Sequence, residues 1–124
     1  MTHNQLNGVL VDLACLSFGI RVIPIPLNAT PEHISYILAH GEITHIFVGG
    51  KTGGRLWNEA QDGKSVEVVS LDNNESLKGN INTWDHFLEQ GDGVIDFDTD
   101  DRLNKVDMEH IQTIMYTSGT TANP

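Results

Sequence analysis

Apolar residues recur along the chain with two different periods, and the alternation between them predicts its elements. Leu6, Leu10, Leu13, Ala14 and Ser17 fall at helical spacing, with Val9, Val11 and Leu16 widening the apolar face and Gly19 placed to end the helix. Ile20–Ile25 is a short, nearly continuous apolar run, as expected of a strand covered on both faces. Pro24 and Pro26 cannot donate to a ladder and mark the strand's end or an edge position. Thr30-Pro31-Glu32 then reads as helix cap, first-turn proline and first-turn acid, with Ile34, Ile37 and Leu38 as the buried stripe and Gly41 as the C-cap.

Ile43–Val48 predicts a second strand, followed by the glycine-rich turn Gly49-Gly50-Lys51-Thr52-Gly53-Gly54. A weak helix around Arg55–Gln61 leads to a third strand over Val66–Leu71. Asp72–Asn82 is polar and turn-rich and reads as loop. Thr83 caps a short helix through Trp84, Phe87 and Leu88 that ends at Gly91; Asp92–Asp101 reads as an acidic linker, and Ile111–Tyr116 as the last strand. Strands alternating with helices predict an α/β fold, a mostly parallel sheet with helices on both faces in a Rossmann- or flavodoxin-like three-layer arrangement. In such sheets ligands sit beyond the carboxyl ends of the strands. The chain opens on a helix with no strand before it, which is unusual for a complete α/β domain, so residues 1–124 are expected to form a single partial domain whose true start is missing.

Charge narrows the partners. Seventeen Asp and Glu against seven Lys and Arg give a net charge of −10. A field of that sign repels nucleic acid and anionic membrane surfaces. A phosphate site would need a divalent cation or positive groups from elsewhere. The single cysteine, Cys15, excludes an internal disulfide and sits in an apolar run where an inert core thiol is expected. No apolar run approaches the ~18 residues of a membrane span, and no basic start with a cleavage site opens the chain, so a cytoplasmic location is expected.

Several motifs invite chemistry and then fall short of it. Gly50-Lys51-Thr52 follows a strand, but the glycine that a Walker A loop requires upstream is replaced by His45. Asp96, Asp98, Asp100 and Asp107 mimic alternate ligands of a calcium loop, yet Asp101 stands where the sharp turn requires glycine. The six histidines (His3, His33, His40, His45, His86 and His110) show no metal-ligand spacing and no catalytic pairing. Trp57 and Trp84 are expected to be packing residues.

The terminal stretch Tyr116-Thr117-Ser118-Gly119-Thr120-Thr121 differs from these. Four hydroxyl side chains surround one glycine, directly after an apolar strand. Hydroxyls and inward-turned backbone N–H groups are the donors from which a phosphate cradle is built. The order Tyr-Thr-Ser-Gly-Thr-Thr-x-x-Pro, closed by Pro124, resembles the phosphate-binding loop of the adenylate-forming enzymes, the AMP-dependent synthetases and ligases. Ala122 stands where that family usually has glycine, which removes one flexible position. Upstream, Asp12–Gly19, Val22–Ile25, Thr30-Pro31-Glu32 with Tyr36-Ile37-Leu38, and Ile46-Phe47-Val48 resemble the family's N-terminal elements in order. Within the family the run is most similar to the long-chain acyl-CoA synthetases.

The resemblance implies an enzyme that activates a fatty acid with ATP as an acyl-adenylate and passes the acyl group to CoA, using Mg2+. It assigns Thr117, Ser118, Gly119, Thr120 and Thr121 to the β- and γ-phosphates. No catalytic residue and no metal ligand is expected within these 124 residues. The family's loop lysine, adenine pocket, acyl tunnel and C-terminal catalytic lysine are expected in the remainder of the same polypeptide, so the fragment alone is expected to be inactive and to hold no bound ligand. A small flavodoxin-like domain binding flavin mononucleotide, and an acidic interaction domain without a ligand, are the alternatives the residues allow.

Overall fold

The computed structural model describes residues 1–61, 65–93, 99–107 and 109–117. The described elements run α1 (Leu6–Ser17), α2 (Pro31–His40), β1 (His45–Val48), α3 (Gly50–Ala60), β2 (Glu67–Ser70), β3 (Ile81–Thr83), α4 (Trp84–Glu89) and α5 (Thr99–Lys105). The three strands form one parallel sheet in the order β1-β2-β3, with Ile46 beside Val68 and Val69 beside Asn82. Parallel strands need crossovers; α3 supplies the one between β1 and β2. The expected α/β fold is therefore present.

The core lies where α2 and α3 meet the sheet. Ile34, Val48 and Val69 are wholly buried, joined by Ile37, Leu38, Ile46, Leu56, Trp57, Ala60 and Val68. Ser70 is the buried polar member; its Oγ accepts the N–H of Asn74 at 2.7 Å, so its burial leaves no unmet hydrogen bond. The Trp57 indole likewise donates to the carbonyl of Lys78 at 3.1 Å, which ties α3 to the loop before β3.

The best-signalled helix forms as its sequence predicts. Thr30 Oγ1 accepts the N–H of His33 at 3.3 Å, Pro31 occupies the first turn, and Ile34, Ile37 and Leu38 face the core. The Glu32 carboxyl is held below its ordinary range by a backbone hydrogen bond and by Thr30. Gly41 is the C-cap, as expected, with a right-handed φ of −79°, and the left-handed turn follows at Glu42. Glycine fits at 41 for space, since a Cβ there would stand 2.9 Å from the backbone carbonyl oxygen of Ile37. Gly19, by contrast, does take a left-handed φ of 64° just past α1.

Four expectations change. The glycine-rich stretch 49–54 is not a surface turn; Gly50–Ala60 is one continuous helix, with Gly53 and Gly54 buried in it. A Cβ on Gly53 would stand 2.7 Å from the carbonyl oxygen of Met1, and one on Gly54 2.8 Å from Asn74 Nδ2. Close approach, not turning, is what these glycines provide. The loop expected to run to Asn82 ends early, because Ile81–Thr83 adds a third strand. The acidic linker is in part helical, since Thr99–Lys105 forms α5 with Asp100 and Asp101 in its first turn, while residues 94–98 lie outside the described residues. Last, α1 buries none of its residues: Leu6, Val9, Leu10, Leu13 and Leu16 are all exposed, and Cys15 is half-buried, not a core thiol.

Candidate functional site

The segment that leads into the predicted phosphate loop is held by one backbone contact and one cluster of rings. Val22 N–H donates to the carbonyl of Gln112 at 2.8 Å, and Ile114 N–H donates to the carbonyl of Val22 at 3.1 Å, a parallel pairing of Val22 with Thr113. Two full strands were predicted here, Ile20–Ile25 and Ile111–Tyr116; the structure has this one bridge. In a parallel ladder every second residue of one strand donates and accepts in turn, so the next donor would be residue 24. Pro24 has no N–H, and the ladder stops. Exposure still alternates along 111–116, with Ile111, Thr113 and Met115 outward and Gln112, Ile114 and Tyr116 turned inward.

Beyond the bridge the anchor is a side chain. Tyr116 Oη lies 2.7 Å from Nδ1 of His40, the last residue of α2. Tyr36, one turn earlier on α2, stacks on His40 with ring centroids 5.2 Å apart and planes 15° from parallel. Tyr116 meets both rings edge-on, at 6.1 Å from Tyr36 and 5.8 Å from His40. Edge-to-face contact sets the positive rim of one ring against the negative face of the other. Tyr116 also packs against the main core. Of the predicted site residues, Thr117 follows directly and is exposed; Ser118, Gly119, Thr120 and Thr121 lie outside the described residues. Tyr36 and His40 were not anticipated here. Their four-residue spacing puts them on one helix face, but Tyr116 is 76 residues away from His40, a distance no local pattern spans.

Gly50-Lys51-Thr52 is at a helix start without being a phosphate loop. The Gly50 N–H is already taken by the Asp72 carboxylate at 2.8 Å, so the protein's own anion occupies the position. Lys51 lines an open cleft of about 710 Å³ between α3 and residues 72–78, with Arg55, Asn58, Asn74 and Lys78. Arg55 is paired with Glu59 at 3.0 Å; Lys51 and Lys78 have no ion-pair partner among the described residues.

No group of three or more His, Cys, Asp or Glu among the described residues could hold a metal ion. Asp96 and Asp98 of the calcium-like series lie outside those residues, and Asp100 is on α5. His45 pairs with Glu67 across β1 and β2 at 3.2 Å, and His86 lies 3.6 Å from Glu89 on α4, both surface contacts. Burial, and then the Asp12 carboxylate, push the Cys15 thiol above its ordinary range, away from the thiolate that a nucleophile requires. Among the described residues no helix is long and apolar enough to cross a membrane.

What remains is a parallel-paired segment that delivers Tyr116-Thr117 into a Ser/Thr/Gly stretch, on an α/β scaffold. The sequence matches the AMP-binding enzyme family from residue 1 to residue 124. The chain belongs to the AMP-binding enzyme family. Similar curated proteins include Arabidopsis thaliana long chain acyl-CoA synthetase 4, at 31% identity over 98% of this chain, and long chain acyl-CoA synthetase 2, also at 31% over 98%. The chain spans 19% of the length of each. Among solved structures, that of IdnL7 superposes with a TM-score of 0.57 over 67% of this chain and 17% of that one, at 18% identity, which bears on the fold alone. Membership in the AMP-binding family sets the chain apart from the flavin-binding alternative.

Proposed function

We propose that this chain is the N-terminal part of a cytoplasmic ATP-dependent acyl-CoA ligase acting on long-chain fatty acids. The carrying observation is the Tyr116-Thr117-Ser118-Gly119-Thr120-Thr121 sequence at the end of a parallel-paired segment, in a chain that matches the AMP-binding family along its whole length. The similar curated proteins, long chain acyl-CoA synthetases by name, support the fatty-acid and CoA assignment.

In this reading a fatty-acid carboxylate oxygen attacks the α-phosphorus of ATP. The bond from that phosphorus to the bridging oxygen breaks, giving acyl-adenylate and pyrophosphate. A CoA thiol then takes the acyl group and releases AMP. The hydroxyls of Thr117, Ser118, Thr120 and Thr121, and the backbone N–H of Gly119, hold the β- and γ-phosphates. Donors fixed on the departing pyrophosphate stabilise the charge that grows there, the same physics as an oxyanion hole. Magnesium serves adenylate-forming chemistry by neutralising phosphate charge. Among the described residues no group of three or more His, Cys, Asp or Glu could hold it.

Fatty-acid-dependent exchange of pyrophosphate into ATP tests the proposal. The longer polypeptide containing this chain is expected to catalyse it, and residues 1–124 alone are not. No exchange by the longer polypeptide with any fatty acid overturns the ligase reading. Exchange by the 124-residue chain overturns the reading of it as a part.

A further inference from the structure

We propose that His40 is a positioning residue for the phosphate loop, acting through Tyr116. The proposal rests on the loop assignment above for its functional meaning, but its geometry stands apart from that assignment. Three observations converge on it. The backbone ladder that carries the segment forward ends at Ile114, because the next donor position opposite is Pro24. Tyr116, two residues on, is then fixed through its ring and its hydroxyl, at 2.7 Å from His40 Nδ1 and edge-on to both His40 and Tyr36. Thr117, the first loop residue, is exposed. Among the described residues Tyr116 is therefore the last fixed point before the loop, and His40 is the polar group that fixes it.

The division of labour follows from the chemistry. A backbone ladder would hold residues 115 and 116 by N–H and C=O groups and leave their side chains free to vary. Where proline interrupts it, direction must come from a side-chain contact. Ring packing alone sets the distance between Tyr116 and α2 but leaves the ring able to slide. A hydrogen bond adds direction, since a phenol oxygen and a ring nitrogen interact well only near linearity. His40 lies at the end of a helix whose other face is locked into the core by Ile34, Ile37 and Leu38, so it offers a rigid mount. Tyr36 stacked on it restricts the turning of the imidazole.

The test is backbone 15N relaxation on the full 124-residue chain, comparing wild type with His40→Ala, His40→Asn, Tyr116→Phe and the double variant H40A/Y116F. The Thr117 N–H order parameter is expected near the rigid value of about 0.85 in wild type, and below about 0.6 in His40→Ala and Tyr116→Phe. The double variant should match the singles, since each removes the same bond. His40→Asn, whose amide group replaces Nδ1, should restore the wild-type value. Melting midpoints should stay together, because the bond is at the surface. The proposal is overturned if Thr117 is mobile in wild type, if His40→Ala leaves it ordered, or if the two singles add. It is also overturned if melting midpoints fall in step with the order parameter across the variants, which would make the pair a general structural contact. No nucleotide enters this measurement, so its failure leaves the ligase reading untouched, and failed pyrophosphate exchange leaves the His40 contact standing.

Discussion

The α-amino group of Met1 donates to the backbone carbonyl of Phe47, in the middle of β1, at 2.8 Å. The Met1 carbonyl in turn accepts the N–H of Gly49 at 3.0 Å. Burial lowers the amine from its ordinary 8.0 to about 6, against a smaller opposing pull from Asp12. As pH falls below 8 the unfolded chain takes up this proton, whereas the folded chain does not until about pH 6. Stability therefore rises from pH 6 to pH 8 and is flat outside that window as far as this group is concerned. Two pKa units correspond to roughly 3 kcal/mol across the window. Urea denaturation of the 124-residue chain at pH 5.5, 7 and 8.5 measures it; equal midpoints would show that the amine is solvated in the folded chain.

Gly53→Ala addresses the same contact from the helix side. The added methyl would lie 2.7 Å from the Met1 carbonyl oxygen, so the N-terminus must move off β1. Alanine favours a helix interior by up to about 1 kcal/mol over glycine, while steric insertion into a packed site costs about 1–3 kcal/mol. Net destabilisation is expected. The more specific consequence is that the variant should lose the step between pH 6 and 8, because its amine reaches water. A destabilised variant that keeps the step would mean the strain is relieved elsewhere.

Helix caps give a third check. Thr30→Ala removes the acceptor for the His33 N–H and should lower stability by about 1 kcal/mol, with Thr30→Ser close to wild type. Thr83→Ala removes the matching acceptor for His86 N–H at 3.2 Å, but α4 is six residues long and buries none of them, so its effect on the global midpoint should be smaller. Chemical denaturation followed by circular dichroism ranks the two; a larger loss at Thr83 would place α4 in the cooperative core.

For the loop, Thr117→Ala and Thr120→Ala in the longer polypeptide should lower the rate of pyrophosphate exchange, each by about a hundredfold to a thousandfold if its hydroxyl binds the leaving group in the transition state. Thr44→Ala, a surface hydroxyl on the segment before β1, is the control and should leave the rate unchanged. Equal rates for all three would remove the hydroxyls from the chemistry.

Much of this was legible in the sequence, for identifiable reasons. Helix α2 carries its start signal, first-turn proline, acid and apolar stripe within eleven residues, Thr30–His40, and the structure follows each of them. Helix α3 was misplaced because glycine is read by its backbone freedom, whereas Gly53 and Gly54 are used here for their missing side chains. Strand β3 is three residues long, too short for alternation to show. The segments around Val22 and Thr113 are extended as read, but proline cut their pairing to a single bridge. The loop motif was recognisable because its residue order is specific. The His40–Tyr116 contact was not, because it joins two elements through side chains alone.

The uncovered row on α1 has a consequence for handling the chain. Leu6 is 73% exposed and Leu13 55%, with Met115 at 74% elsewhere on the surface, so a broad oily area faces water on a molecule of net charge −10. Mutual repulsion holds such molecules apart at low ionic strength, with a Debye length of about 30 Å at 0.01 M, and that shield thins to about 3 Å at 1 M. The same salt leaves apolar attraction in place. Colloidally, the purified chain should behave as a monomer kept in suspension by its acids, with light scattering that climbs as salt is added and falls when Leu10 and Leu13 are made polar.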